Sequence, residues 1–285
     1  MRRMFTLRRL AGTATAVVLL AVSSTVSSAG ASTETVTSGD LNAAFTYYGA
    51  YPQSRSPHLT ISNNGNVLYD RVVRSAWCGT ECSPNVIASA RKVLHIVHLR
   101  PNGQLAVVLD LYSGGAHCCS VEQVFSFNAS SRTFQMSERN FGDPGVRLVD
   151  LGAGRSVDFL SADDSFAYAF TDYAASGMPI EILSFSHNTF HNVTRSFPSL
   201  IAKDAHQWMS AFEAQASGHY QDTVGIVAAW AADEDMLGPS KVVTDFLSTQ
   251  AKAGHLNSSL SPVELSGQKL VIELQKFLRQ HGYIK

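Results

Sequence analysis

The chain has 285 residues, 45% hydrophobic, 9% aromatic and 16% charged, with a formal net charge of -1. The apolar share excludes a wholly disordered protein, and the low charge excludes a polyelectrolyte tail. Four of the 22 bases (Arg2, Arg3, Arg8, Arg9) and none of the 23 acids fall within residues 1–31, which leaves 18 bases against 23 acids, a charge of -5, for residues 32–285. No nucleic-acid partner is expected for so acidic a remainder.

Residues 1–31 run from the basic start through an apolar stretch, Leu10 to Val22, into small residues ending Ser28-Ala29-Gly30-Ala31. That order predicts a secretory signal peptide cleaved after Ala31, with Ala29 and Ala31 in the two small positions. The apolar run of 13 residues falls short of the roughly 20 that span a bilayer, so no stable membrane insertion is expected. Ala11-Gly12 follows Arg8-Arg9 where a twin-arginine signal would carry bulkier apolar residues, which favours the general secretory route. The mature protein is expected to be soluble and secreted or extracytoplasmic.

Export makes Cys78, Cys82, Cys118 and Cys119 candidates for disulfides, because an oxidising compartment disfavours free thiolates. Two bridges are expected and three connectivities remain open: Cys78–Cys82 closing a local loop together with a vicinal Cys118–Cys119 bridge stiffening the turn at His117, or either of the two pairings that link the Cys78/Cys82 loop to the Cys118-Cys119 pair. A zinc site would add His117 with His58, His95 or His98, but the spacing matches no closed zinc motif.

Residues 32–56, rich in Ser, Thr and Tyr, read as a flexible lead-in. From 57 to 198, short apolar stretches alternate with Gly/Asn turns: His58–Ser62, Val67–Val73, Val93–Leu99, Leu105–Tyr112, Val121–Asn128, Thr133–Ser137, Val146–Leu151, Val157–Leu160, Phe166–Thr171, Ile180–Ser186 and Thr189–Thr194. Strands of this length and spacing predict antiparallel sheets. The alternation in Phe166-Ala167-Tyr168-Ala169-Phe170 places three aromatics on one strand face. A loose repeat aligns Leu99–Leu109 with Asp150–Leu160, 51 residues on, and Phe125-Ser126-Phe127 with Leu183-Ser184-Phe185. A period of that size predicts blade-like units, too few for a closed propeller.

Residues 199–285 turn helical. Ser196-Phe197-Pro198 starts a helix carrying Leu200, Ile201, Ala205, Trp208, Met209 and Phe212; a second runs from about Tyr220 to Leu237 and stops at Gly238-Pro239; a third runs from Pro239 to Gly254; the last spans about Pro262 to His281, with Gly282 ending it. The expected fold class is mainly β with α: an irregular or partial β-propeller-like repeat domain followed by a C-terminal helical subdomain.

Leu109-Asp110-Leu111-Tyr112-Ser113-Gly114-Gly115-Ala116-His117-Cys118-Cys119, Asp163-Asp164-Ser165-Phe166-Ala167-Tyr168 and Asn192-Val193-Thr194-Arg195-Ser196-Phe197-Pro198 together resemble bacterial exported proteins with propeller-type repeats of the FG-GAP and VCBS kind. The resemblance covers 100 to 140 residues and implies a binding or assembly role more than a particular chemistry. Such repeats commonly carry a calcium loop. Here the loop Asp150–Asp158 keeps acids only at its two ends, Asp150 and Asp158, so calcium is the one cofactor it could take and none is expected. The final helix, Lys269–Tyr283, looks like the opening helix of peptidoglycan-binding domains.

No catalytic-elbow, zincin or phosphate-loop motif is present in the sequence. Asp110, Ser113 and His117 lie around a Gly-Gly turn, and Asp163-Asp164 sit in a later turn, so Asp110, His117 and Asp163 are the catalytic candidates and His117, Asp163 and Asp164 the binding candidates. Asp233-Glu234-Asp235 reads as a solvated helix face. The expected function is that of a noncatalytic binding module for an extracellular or cell-wall ligand; the alternative is a secreted hydrolase of glycans, peptides or esters using the Asp110–His117 turn.

Overall fold

A computed structural model describes residues 30–49, 54–85, 92–99, 104–152, 156–216, 222–257 and 265–284. The signal-peptide reading of residues 1–31 falls almost wholly outside them. Three antiparallel sheets follow one another along the chain, and none closes on itself. The first is β1 (Ala31–Ser38), β2 (Leu41–Tyr48), β3 (Arg55–Asn63) and β4 (Asn66–Val72), paired in chain order. The second holds β5 (Ser83–Pro84), β6 (Leu94–Leu99), β7 (Gln104–Gly115), β8 (Cys118–Asn128) and β9 (Thr133–Gly142). Both β5 and β6 pair with β7, at different points along its length, and β8 and β9 follow in turn. The third is β10 (Arg147–Val149), β11 (Asp158–Ala162), β12 (Ile180–Ser186) and β13 (Thr189–Asn192), again in chain order.

Among the described residues, the flexible lead-in expected over 32–56 is instead β1, β2 and the start of β3. In β2, Leu41, Ala43 and Phe45 are buried while Asn42, Ala44 and Thr46 are half-exposed, so the hydroxyl-rich composition conceals a period of two. Phe45 meets Leu59 across the strands, and each large side chain so buried contributes about 1.5–3 kcal/mol. The Glu34 carboxylate on β1 accepts the N–H groups of Val93 and Leu94, tying the first sheet to β6.

Phe166–Thr171 is not a strand. Asp163 accepts the Ser165 N–H and caps a 3₁₀ turn over Asp164–Phe166, after which the chain turns again with Tyr168 at a φ of 60°. Phe166 and Phe170 are buried against the helices and Tyr168 is 55% exposed, so the alternating pattern marks two side chains in and one out of a coiled loop.

Four helices complete the chain: α1 (Pro198–Ala216), α2 (Val224–Leu237), α3 (Ser240–Lys252) and α4 (Gly267–Gln280). They fall within the four predicted helical stretches; the predicted starts at Tyr220 and Pro262 lie outside the described residues. Ala228, Ala229, Ala231 and Ala232 let α2 run through the middle of the helical core, where nearly every face of it is buried. Its first turn touches the loop before β12 backbone to backbone: a Cβ on Gly225 would lie 2.1 Å from the Ala175 carbonyl oxygen, and one on Gly177 2.6 Å from the Gly225 carbonyl oxygen. Arg195, just before α1, donates to the carbonyls of Met236 in the last turn of α2 and of Gly282 and Tyr283 beyond α4. A cation at two helix C-termini satisfies carbonyls that have no partner within the helix. Among the described residues, no helix is long and apolar enough to cross a membrane.

Candidate functional site

The β7–β8 hairpin projects His117 from the edge of the second sheet. Gly114 takes a φ of 89° at the turn, the Tyr112 hydroxyl donates to the Gly115 carbonyl, and Ser113 Oγ accepts the Cys119 N–H at 2.8 Å. The His117 ring lies on the ring of Tyr173, with centroids 4.2 Å apart, and Tyr173 in turn contacts Tyr168 at 5.4 Å. These three rings form a ledge from the hairpin tip to the loop after the 3₁₀ turn. Tyr168 is held in its left-handed conformation by its N–H, which donates to Ser176 Oγ, and Ser176 donates to the Asp172 carbonyl.

Carboxylates flank the ledge. The Tyr173 hydroxyl donates to Asp143 Oδ2. Burial raises the Tyr173 pKa above the usual phenol value, and the Asp143 hydrogen bond and charge push it the same way, so the ring stays a neutral donor. Asp164 lies against the backbone of Gly142, where any Cβ would fall 2.1 Å from the carboxyl carbon. Its pKa is raised, chiefly by burial and further by the charges of Asp143 and Asp163. One of its oxygens is buried without a hydrogen-bond partner. Asp163 points the other way: Oδ2 accepts the Tyr283 hydroxyl at 2.7 Å, tying the loop to the end of the chain.

Of the sequence candidates, the structure therefore brings together His117 and Asp164, through Tyr173 and Asp143, and places Asp163 beside them with its own partners. Asp110 is not among them. It sits on β7 five residues before Gly115, about 16 Å of extended strand from the hairpin tip. There it faces Glu122 across the β7–β8 pair, and both are buried. Burial pushes Asp110 up to about 7 against hydrogen bonds from Asn85, Glu122 and Ser120, and pushes Glu122 well above its ordinary range. Two carboxyls at that separation cannot both be charged; one keeps a proton and donates it to the other. Asn85 donates to Ser120 Oγ at 2.8 Å, so the pair belongs to an internal polar network. Asp110, Ser113 and His117 thus have three separate sets of partners and do not form a triad.

The cysteine question is partly closed: Cys78 and Cys82 are bonded to each other, with Cα atoms 5.1 Å apart. Cys119 is also disulfide-bonded, and the side chain of Cys118 lies outside the described residues. Asp150 Oδ1 accepts the Gly152 N–H in a local turn, Asp158 is buried on β11, and the loop between them, 153–155, lies outside the described residues. Among the described residues no group of three or more His, Cys, Asp or Glu side chains is arranged to hold a metal. The histidines weighed for zinc are dispersed: His58 pairs with Asp70, and His95 and His98 lie on β6.

The Asp233–Asp235 run is not a solvated face. Asp233 is fully buried and Asp235 nearly so. Asp233 is pushed up to about 10 by burial and by the neighbouring Asp204 carboxylate, and Asp235 to about 6 by burial, opposed by Ser240, Arg195 and Arg279. Tyr173, Asp143, Glu122 and Asp204 carry no sequence motif.

No family model and no solved structure matches the chain. It is 25% identical over 191 residues to an uncharacterised protein of Sinorhizobium fredii, covering 66% of this chain and 29% of that protein. It is 26% identical over 211 residues to a probable thylakoid lumen protein of Synechocystis, covering 71% of this chain and 58% of that protein. The chain spans less than two thirds of the length of either curated relative.

Proposed function

We propose that this is an exported, noncatalytic binding module with propeller-like β sheets, whose ligand is a glycan of the cell envelope or medium held on the His117–Tyr173–Tyr168 ledge. The observation that carries the reading is the ledge itself: three contiguous rings, the outermost 55% exposed, with the Asp143 and Asp164 carboxylates beside them. Sugar rings present C–H faces that pack on aromatics and hydroxyls that donate to carboxylates, and a rigid aromatic surface loses little conformational entropy on binding. The separate partners of Asp110, Ser113 and His117 favour binding over nucleophilic hydrolysis. The basic, apolar and small-residue order of residues 1–31, the Cys78–Cys82 bridge and the similarity to a probable lumenal protein support export.

The test is cosedimentation of the mature chain with purified peptidoglycan sacculi, chitin and cellulose. Tyr168→Ala and His117→Ala, both at exposed positions, should keep the melting temperature within a few degrees and weaken binding about tenfold, in line with the loss of one aromatic contact. Equal binding by both variants removes the ledge from the function. Turnover of a glycan, peptide or ester that vanishes in His117→Ala would establish a hydrolase instead.

A further inference from the structure

A second concavity, about 510 Å³, lies between the third sheet and α1 and owes nothing to the ledge. Leu200, Lys203, Asp204 and Gln207 line one wall and follow the i, i+3, i+4, i+7 spacing of a single helix face. Arg147, Leu160 and Met178 contribute to the other walls. Asp204 is fixed in place. Its Oδ2 accepts the Ile180 N–H and the Trp208 Nε1–H, each at 3.0 Å, and the buried Asp233 carboxyl of α2 lies near it. Burial, and after it the Asp204 charge, raise the Asp233 carboxyl. A carboxylate has about four lone-pair positions, and the two N–H groups take those of Oδ2, which leaves Oδ1 as the acceptor for a donor in the cleft. Arg147 and Lys203 are exposed on the same walls and make no ion pair among the described residues.

The cleft therefore offers two positive heads, one prepositioned acceptor and an apolar lining, in a volume typical of small-molecule sites. We propose that it binds a small carboxylate with a neighbouring hydrogen-bond donor and a branched aliphatic body, the chemistry shared by α-amino and α-hydroxy acids. The ligand carboxylate pairs with Arg147 and Lys203, its donor bonds Asp204, and its aliphatic part lies over Leu160, Met178 and Leu200. Opposite charge at one end and a single open acceptor at the other fix the orientation.

Calorimetry and thermal shift on the mature chain test this with four probes: L-leucine, 2-hydroxy-4-methylpentanoate, 4-methylpentanoate and 3-methylbutylamine. One or both donor-bearing acids should bind and raise the melting temperature, and which of them does so identifies the donor. The donorless acid should bind about tenfold more weakly and the amine should give no shift. Arg147→Gln and Lys203→Gln, at exposed positions where folding is spared, should each cost about tenfold in affinity, and His117→Ala should cost nothing. The proposal fails if neither donor-bearing acid binds, if the amine binds as well as they do, or if both charge variants bind unchanged.

Discussion

At the scale of single residues, the structure buries acids that the sequence presents as surface. Asp233 is the sharpest case: fully enclosed, with its pKa pushed up to about 10, it is a hydrogen-bond donor at neutral pH. A raised carboxyl means the native state holds a proton that the unfolded chain has released. Its contribution is fully present below the ordinary carboxyl range and is lost as pH rises towards 10, at about 1.4 kcal/mol per pH unit. Asparagine has nearly the same shape and donates without titrating. Asp233→Asn should therefore show a shallower fall in urea-unfolding free energy between pH 6 and pH 9, by about one proton's worth. An unchanged slope would mean that Asp233 is not the group holding the proton. None of this is legible in Asp233-Glu234-Asp235 as a string, because the run alternates around a helix whose other faces are alanine. Asp110 could be singled out from its place beside a Gly-Gly turn. Its partner Glu122 could not, since the two meet through strand register, 12 positions apart in sequence.

At the scale of elements, most of the strand and helix inventory follows from periodicity, and the misreadings share a physical cause. In β1 and β2 threonine and serine occupy positions that would otherwise be clearly polar or apolar, which flattens the alternation although the pairing is regular from Ala31 to Tyr48. At Phe166–Phe170 the reverse holds: alternation is strong, but Asp163 caps a turn and a left-handed Tyr168 reverses the chain. Contacts between elements are less legible still. The approach of Gly225 to Ala175 has no signature beyond a glycine inside a helix. Gly225→Ala should destabilise the fold by about 2–3 kcal/mol, because the added methyl meets backbone that cannot turn aside. Alanine is otherwise the better helix former by about 1 kcal/mol, so a stabilised variant in urea melts would show that the two segments can part freely.

At the scale of the whole molecule, the raised carboxyls act together. Burial raises Asp110, Glu122, Asp164, Glu181, Asp233 and Asp235, which are spread over the second sheet, the loop after β11, the third sheet and α2. Each favours the folded state at acidic pH and loses that contribution as pH rises through its folded value. Among the described histidines, His95 is shifted the opposite way, lowered by burial, and so subtracts stability on the acid side of its ordinary value. Six groups of one sign outweigh one of the other. The melting temperature should be higher at pH 5.5 than at pH 8.5, and a scan showing the reverse would overturn the burial pattern as the governing charge effect. The three sheets are antiparallel and follow chain order outward, apart from β5 and β6 sharing one side of β7, so a repeat-like alternation in sequence is enough to anticipate them. The ledge and the cleft are assembled from segments far apart in the chain and are visible only in three dimensions.

The Arg195 fork adds a consequence for how the molecule opens. One guanidinium holds the carbonyl end of α2 and the turn beyond α4 to the strand side of the junction, and Tyr283 reaches back from that turn to Asp163. Neither helix end can fray without breaking bonds shared with the other, so amide hydrogens in the last turns of α2 and α4 should exchange with solvent at matched rates. Arg195→Ala should raise both rates together, by about tenfold, while leaving those of β2 and β3 unchanged. The Arg195 and Tyr283 bonds cross the boundary near Ser199 where strands give way to helices, so opening of these helix ends is coupled to the segments around Asp163 and Arg195.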